Sequence, residues 1–588
     1  MRTSSLQYLY LQKPVTLTII ICIISVLPWI ALGDFSTKGE PREAAVAISM
    51  LETGNWILPQ VYADEFAYKP PLAPWMMAAF SYPQGYVSEF TSRLPSAIAF
   101  IALIIATLVF FSRRRPRFQE VFISVMLMIT CVELHRAAMT TRVDMLLTTF
   151  IVLGLFQLFR WEEKLELKGL PIPIPLLLSC AVLTKGPVGI ILPLFIFFVY
   201  LLMLRKYSLL VIIRSLLYIG IASSFIPCMW YVAAWQRGGE EFLDLVLAEN
   251  FGRFFSVDNL DIDYNLGHEN GPLYNIKMIL AGFAPWTLFF FFSLFGMKLV
   301  KPSLSFGSIL KKTWARVLSM DKVKLFSLVS LVCIILFYTI PSSKRGVYLL
   351  PAYPFMALFL AQYSIYLTEY RRKVTRFFAG LLVSVTIIVL IVVFMSMSGA
   401  IDVMEIAKSF TNRERTIEMI QIVCNKFNRP SILTTFIIGL NLFAIITVLY
   451  QLSKKINIKI LYSTIALVFM VNMMIDGIVM RSIRNGTSSR AFAKHIIANY
   501  PLNENNVFVV NNLKEFANLY GLNFYMGNMF HDIEDRKPNE GYFLSTERDF
   551  DGIIAKFKEE YVFTKLTSTP NYISDVRDKM ILCSFTKK

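Results

Sequence analysis

Apolar runs of roughly twenty residues recur from residue 14 to residue 480, separated by short polar breaks. About 20 apolar residues is the length a helix needs to cross a bilayer core. The pattern predicts thirteen such helices, over 14–33, 93–111, 119–135, 142–159, 171–184, 186–205, 209–235, 273–297, 323–341, 346–368, 376–398, 431–452 and 459–480. Only Thr184-Lys185-Gly186-Pro187 divides the fifth from the sixth. The first run is too long for a secretory signal and lacks a small-residue cleavage site, so it is expected to stay as an anchor. Residues 34–92 form a long loop with its own helical signals. Positions 41–52 repeat apolar residues at helical spacing, with Pro41 at the start and Gly54 just past the end. Positions 70–80 predict a second apolar helix, too short to span. Both are expected to lie at the membrane interface as a roof over the bundle. After residue 480 the chain turns polar. Short strands are predicted over 507–510, 542–545, 562–565 and 580–585, and helices over 513–520 and 549–559. The expected architecture is a helical membrane domain, 1–480, and a small α/β domain, 481–588.

Composition agrees with this pattern. Apolar residues make up 55% of the 588 and charged residues 17%, and mean hydropathy is +0.55. A soluble chain is nearer a quarter charged. The formal net charge of +17 would invite a nucleic-acid reading, but the basic residues sort by loop. With Arg2 and Lys13 on the cytoplasmic side, the later loops on that side carry Arg113-Arg114-Arg115 with Arg117, Arg160 with Lys164 and Lys168, and Arg205-Lys206. Further along come Lys311-Lys312 with Arg316, Lys322 and Lys324, then Arg371-Arg372-Lys373 and Lys454-Lys455. That is the positive-inside pattern. It places the N-terminus in the cytoplasm and 481–588 outside, and leaves nucleic acid no role. The seven Cys show neither CxxC nor Cys/His spacing, so no zinc knuckle or disulfide framework is supported.

Another set of charges falls at the outer ends of the predicted spans. Glu40, Arg42, Glu43 and Lys69 sit at the starts of the two loop helices. Arg136, Arg142 and Asp144 sit where the third and fourth spans meet. Lys185 lies in a Lys-Gly-Pro turn, Arg253, His268 and Glu269 in an acidic loop, and Lys344, Arg345 and Tyr348 at the start of the tenth span. A carboxylate inside an apolar helix, as Asp144 is, costs about 2.5–3.5 kcal/mol on insertion scales. Structural readings stand beside the functional one. Asp144 would pair with Arg142 or Arg136, Lys185 would snorkel, Lys344-Arg345 would flank a span, and His268 would be an ordinary loop residue. The chemistry that would use them all is recognition of a phosphate. Lys binds phosphate as a point charge and Arg binds it bidentately, while a nearby carboxylate suits a general base. No phosphate-binding loop or dinucleotide fingerprint is present. A lipid-linked phosphosugar meets these constraints.

The order of motifs resembles a known family. Gly39-Glu40-Pro41-Arg42, Met50-Leu51-Glu52-Thr53-Gly54-Asn55-Trp56 and Lys69-Pro70-Pro71-Leu72 resemble the first outer loop of the aminoarabinose transferase (ArnT-like) and protein O-mannosyltransferase superfamily. Arg93-Leu94-Pro95-Ser96, Arg142 with Asp144, Lys185-Gly186-Pro187, and Lys344-Arg345 with Tyr348 and Pro351 follow in the same order. The resemblance covers about residues 15–365. It implies the GT-C fold, with a small C-terminal α/β domain beside about thirteen transmembrane helices. The implied activity is transfer of a sugar from a polyprenyl-phosphate carrier to an acceptor at the outer face of the cell (inner) membrane. The family's acidic pair falls on Gly39-Glu40, so its first acid is absent. The catalytic role is expected to pass to Glu40, with Asp34 and Glu43 as the other acids in reach, and Asp144 is expected in the catalytic site to orient Lys69 or the sugar. Lys69 matches the lysine that binds the carrier phosphate. Lys185 and Arg345 would hold phosphate oxygens, and Arg42, Arg142, Lys344 and Tyr348 would line the substrate cavity. His268 matches a loop histidine that holds a divalent metal together with a Glu, and that Glu is Tyr68 here.

The implied partners are the lipid-linked donor, membrane lipids, and a glycolipid, glycan or protein acceptor. Two other functions fit the same sequence. One is a transporter or flippase of lipid-linked glycans, which would be expected to place charges near the midplane on broken helices. The other is a non-catalytic, lipid-binding member of the fold.

Overall fold

The computed structural model describes residues 10, 12–67, 69–115, 117–248, 270–295, 305–341, 343–511 and 516–588. The chain is a multi-pass helical membrane protein. Each of the thirteen apolar stretches falls on helix where it is described. Among the described residues six helices are long and apolar enough to cross a membrane, or eight if each of two bent pairs is one crossing. The shortfall from thirteen has local causes. Pro14–Ile30, Pro173–Lys185 and Val188–Leu204 are apolar but shorter. Gly186, at φ 92°, separates the last two, a backbone geometry that L side chains rarely adopt. The tenth stretch begins as a tight 3₁₀ turn, Gly346–Ala352, before the Tyr353–Tyr370 helix.

The two bent pairs support one another. Phe118–Thr130 and Val132–Ala138 meet at 66°, and Tyr274–Gly282 and Trp286–Leu294 at 108°. A break frees backbone groups that lipid cannot satisfy, so protein must do so. Val132 N–H donates to the Ala284 carbonyl at 3.2 Å, joining one break to the other. Trp286 Nε1 donates to Thr130 Oγ1 at 3.0 Å, and Asn472 Nδ2 to the Thr130 carbonyl at 3.3 Å.

The first loop helix runs Gly39–Thr53 and ends at Gly54, φ 66°, whose N–H donates back to the Met50 carbonyl. Only a residue free to be left-handed closes a helix this way without strain. The second runs Leu72–Ser81. Sequence reasoning lays both helices on the membrane interface. The first is buried along Ala44, Ala45, Ala47, Ile48 and Met50, between Leu72–Ser81 and the Tyr520–Tyr525 helix of the C-terminal part. Its small alanines allow helices to approach on more than one side.

The C-terminal part holds a five-stranded sheet in the order His531–Asp532, Val507–Val509, Glu540–Thr546, Met580–Lys587, Tyr561–Ser568. The first three strands are mutually parallel and the last two pairings antiparallel. Three of the four predicted strands extend further than expected, and His531–Asp532 is additional. The expected 549–559 helix is Glu547–Phe557. Of the expected 513–520 helix, 513–515 lie outside the described residues, and helix begins only at Tyr520. The sheet docks on the first loop. Tyr62, Ala63 and Asp64, all at positive φ, tip a hairpin of Gln60–Val61 and Glu65–Phe66. Consecutive left-handed non-glycine residues are costly, and contacts hold these in place. The Tyr62 hydroxyl accepts from Leu519 N–H at 2.8 Å, and Ala63 N–H donates to the Phe530 carbonyl at 3.0 Å.

One buried ion pair gathers this end of the bundle. Arg93 and Glu40 are both 0% exposed. Arg93 Nε meets Glu40 Oε1 at 2.9 Å, and its other nitrogens donate to the carbonyls of Ile30, Gly33 and Asp34. Thr141 N–H donates to the same Glu40 oxygen at 3.1 Å. Burial alone would raise the Glu40 carboxyl, but the charges of Arg93 and Arg484 hold it below its ordinary value. Glu40, expected from the sequence to act as the catalytic base, is thus fully buried with its oxygens committed to Arg93 and Thr141. Breaking a buried pair by removing one partner costs about 3–5 kcal/mol. We therefore expect Glu40→Gln and Arg93→Met each to lower the melting temperature markedly in detergent. A Glu40→Gln protein that melts like the wild type would show that the pair is not structural.

Candidate active site

Glu43 lies one turn beyond Glu40 on the Gly39–Thr53 helix and faces a cleft lined by Arg42, Val61, Glu65, Phe66 and Lys69 among others. Its carboxylate is paired with the Lys69 ammonium and with Arg42 Nη2 at 3.0 Å. Burial would raise the Glu43 carboxyl, but Lys69 and Arg42 outweigh it and hold the group at about 2. Glu65, on the hairpin wall of the cleft, behaves oppositely: burial pushes its carboxyl up against a hydrogen bond from Asn511. Asn511 belongs to the sheet domain, so that domain reaches the cleft.

A second pair stands beside the first. Asp144 is in the first turn of Val143–Leu165 and Lys185 in the last turn of Pro173–Lys185. Each charge complements the dipole end on which it sits. The two form an ion pair, so the structural pairing of Asp144 is with Lys185 rather than with Arg142 or Arg136. The Lys185 ammonium also lies 4.2 Å from the centre of the Tyr348 ring, a cation–π contact. Arg142 and Lys69 stand close enough to act electrostatically on Asp144, which joins the two pairs into one cluster. A Cβ on Gly39 would lie 3.6 Å from Arg142 Nη2.

The remaining expected residues divide. Among the described residues Arg142 and Arg345 make no side-chain ion pair. Arg345 directly precedes the 3₁₀ turn that carries Tyr348. Lys344 is buried and its ammonium donates to the Asn270 carbonyl at 3.0 Å, so it anchors a loop. Asp34 pairs with Arg490 at 2.9 Å and is remote in role from the cleft. Arg136, 43% exposed, pairs with Glu133 on its own helix. His268 and its neighbours Arg253 and Glu269 lie outside the described residues, and within those no three His, Cys, Asp or Glu side chains converge as a metal site. Sequence reasoning did not single out Glu65. It also missed the His135–Asp476 contact, 2.6 Å, where Asp476 sits in a π-helical turn, Ile475–Met480.

Comparison with solved structures decides the fold. ArnT from Cupriavidus metallidurans bound to undecaprenyl phosphate superposes with a TM-score of 0.67 at 15% identity, covering 97% of each chain. Its apo form gives 0.66 over 98% of each. The chain has the GT-C fold. Residues 68–231 match the family described as dolichyl-phosphate-mannose-protein mannosyltransferase, a stretch that holds Lys69, Arg142, Asp144 and Lys185. An uncharacterised protein of Aquifex aeolicus is 26% identical over 331 residues, 55% of this chain and 59% of its own. An undecaprenyl phosphate-alpha-4-amino-4-deoxy-L-arabinose arabinosyl transferase of Shewanella sediminis is 22% identical over 371 residues, 62% of each chain. The chain thus spans about three fifths of the length of the curated relatives it matches. The GT-C resemblance expected from the loop motifs holds at the level of the fold, and the cation cluster lies at the end of the bundle where the sheet docks.

The Glu43 pair carries a pH signature. Its folded value is below the unfolded one, so its stabilisation is complete above the ordinary glutamate range and is lost as pH falls toward 2. Between about pH 6 and pH 3 the wild-type melting temperature should fall more steeply than that of Glu43→Gln. Parallel curves would show that Glu43 is not held as an ion pair in the folded protein.

Proposed function

We propose that the protein is a glycosyltransferase that moves a sugar from a polyprenyl-phosphate carrier to an acceptor at the outer face of the cell membrane. The observation that carries this reading is the cluster itself: Arg42, Lys69, Arg142 and Lys185 surround Glu43 and Asp144 at the sheet-bearing ends of the helices. Cations outnumber carboxylates there, so an incoming phosphate is attracted without any bound nucleotide. The named relatives act on, or were crystallised with, undecaprenyl phosphate, which supports a lipid-linked donor. A flippase is less well supported, because the charges sit at helix ends and not at broken midplane helices.

The donor phosphate would take Lys69 and Lys185 from their carboxylates, with Arg345 beside them. Glu43 then loses the larger of the two charges that hold its carboxyl near 2, Arg42 remaining beside it, and its basicity rises. An acceptor hydroxyl oxygen attacks the anomeric carbon and the bond from that carbon to the phosphate oxygen breaks. The hydroxyl proton passes to Glu43, and the electron pair leaves on the polyprenyl phosphate, where the lysines stabilise it. Asp144 orients Lys185. The role first assigned to Glu40 thus passes one turn along the same helix, to the acid that opens onto the cleft. The acceptor is a glycolipid, another glycan or a protein hydroxyl, and the sugar is a hexose or a pentose.

In nanodiscs, with a panel of labelled polyprenyl-phosphate sugars, Glu43→Gln should lower turnover by about 100- to 10,000-fold while donor affinity stays close to wild type. Wild-type turnover in that variant would remove Glu43 as the base. Lys69→Ala should weaken donor binding by about ten- to a hundredfold, and unchanged affinity would take Lys69 out of the phosphate site. For the orientation, a reporter fused at Lys588 should be active only outside the cytoplasm. Cytoplasmic activity would place the sheet domain and the cluster on the inner face.

A further inference from the structure

Between the Arg372–Met397 and Ile432–Lys454 helices the chain folds two short amphipathic helices, Val403–Phe410 and Glu414–Asn428. They do not touch the cation cluster. With the end of Arg372–Met397 and the π-helical turn they enclose a cavity of about 370 Å³, lined by Val393, Met419, Ile420, Val423, Phe427 and Ile483 among others. The exposed lining is almost wholly apolar, with Ser396 and Thr416 the hydroxyl-bearing residues among it, so the cavity offers water few hydrogen-bonding partners. Around it large apolar side chains face outward: Ile406 is 46% exposed, Phe410 85% and Ile432 92%. On helices flanking membrane spans, such residues meet acyl chains.

Cations stand at the edge of this cavity. Arg415 is one residue before the lining residue Thr416. It is half-buried, its Nη2 donates to Ser574 Oγ at 3.0 Å, and its Nε is buried without a partner. Arg577, from the same C-terminal turn as Ser574, is near enough for its charge to act unfavourably on Arg415. Among the described residues neither arginine forms an ion pair, though Glu414 and Glu418 are close in sequence. Two arginines close enough to repel one another, one of them on the Ser574 hydroxyl and with a buried Nε–H that has no partner among the described residues, match the donor set of a phosphate group. Lys408 and Arg413 add exposed positive charge on the adjoining turn.

We propose that this end of the protein holds an anionic membrane phospholipid, with an acyl chain in the cavity and its phosphate at Arg415, Arg577 and Ser574. The apolar volume and the uncommitted cations are adjacent, as the two parts of one lipid are. Because Ser574 N–H also donates to the Thr487 carbonyl at 2.9 Å, the lipid would tie the sheet domain to the bundle.

The test uses the full chain in nanodiscs containing phosphatidylglycerol with a photoactivatable diazirine in its acyl chain, and peptide mapping after illumination. Labels are expected within 416–427 and 479–483, with capture about tenfold above that of phosphatidylcholine carrying the same chain. The Arg415→Gln/Arg577→Gln variant should fall to the phosphatidylcholine level. Ile420→Trp, which fills the cavity and keeps both arginines, should lose the label, and it reads the same site if the double variant fails to fold. Equal capture of the two lipids, or labels spread evenly over exposed helices, overturns the proposal. So does a cavity that stays unlabelled while millimolar inorganic phosphate protects Arg415 from guanidinium-directed modification, since that would be a site for the free anion.

Discussion

The buried pair of Glu40 and Arg93 is the constraint on which this end of the molecule depends. A guanidinium with no exposure needs every donor satisfied. Arg93 spends its donors on Glu40 and on the carbonyls that follow the first helix. The path of the chain out of that helix, the start of Gly39–Thr53 and the loop at Thr141 are therefore fixed by one side chain. The register of the Gly39–Thr53 helix follows. With Glu40 turned inward, Glu43 three residues later lies on the neighbouring face and opens onto the cleft, where Lys69 and Arg42 meet it. The fully buried pair positions the pair that lines the cleft.

The two ion pairs of the cluster leave their cations the more accessible partners. In each of the two pairs a lysine is more exposed than its carboxylate: 23% against 8% for Lys69 and Glu43, and 23% against 11% for Lys185 and Asp144. The cations are thus the accessible half, and an anion approaching from the cleft meets them first. A structural pair would gain nothing from that asymmetry. The pairs also neutralise the lysines before a donor arrives, which reduces the cost of holding several like charges close together.

The helices and their order were legible in the sequence because hydrophobic length and proline and glycine breaks are local signals. The sheet was legible in outline for the same reason, through alternation at 542–545 and 580–585. The two-residue strand at His531–Asp532 is defined only by its partner at Val507–Val509 and has no pattern of its own. The cluster was legible as a set of charges misplaced in apolar surroundings: Asp144, Lys185 and Lys69 were named on that ground and do come together. What position alone could not supply was partner choice. Glu40 and Glu43 share a helix start and a charge, and only the three-dimensional location of Arg93 separates the fully buried acid from the one that lines the cleft. Lys344 next to Arg345 is the same case: adjacent cations, one spent on the Asn270 carbonyl and the other without an ion pair among the described residues.

Gly39 completes the electrostatic argument. The resemblance places an acid there, and the space a Cβ would occupy lies against the guanidinium of Arg142. Glycine removes that carboxylate without straining the backbone, since its φ is not in the left-handed region. Arg142 is left beside Asp144 without an ion pair of its own among the described residues. Losing one negative charge makes the cluster more positive by the same amount, at a point where Lys69 and Lys185 are already balanced. The change thus leaves position 39 without an acid and makes this end of the bundle more attractive to an anion. On the Gly39–Thr53 helix the carboxylate that lines the cleft is then Glu43, with Glu65 on the hairpin wall of the same cleft.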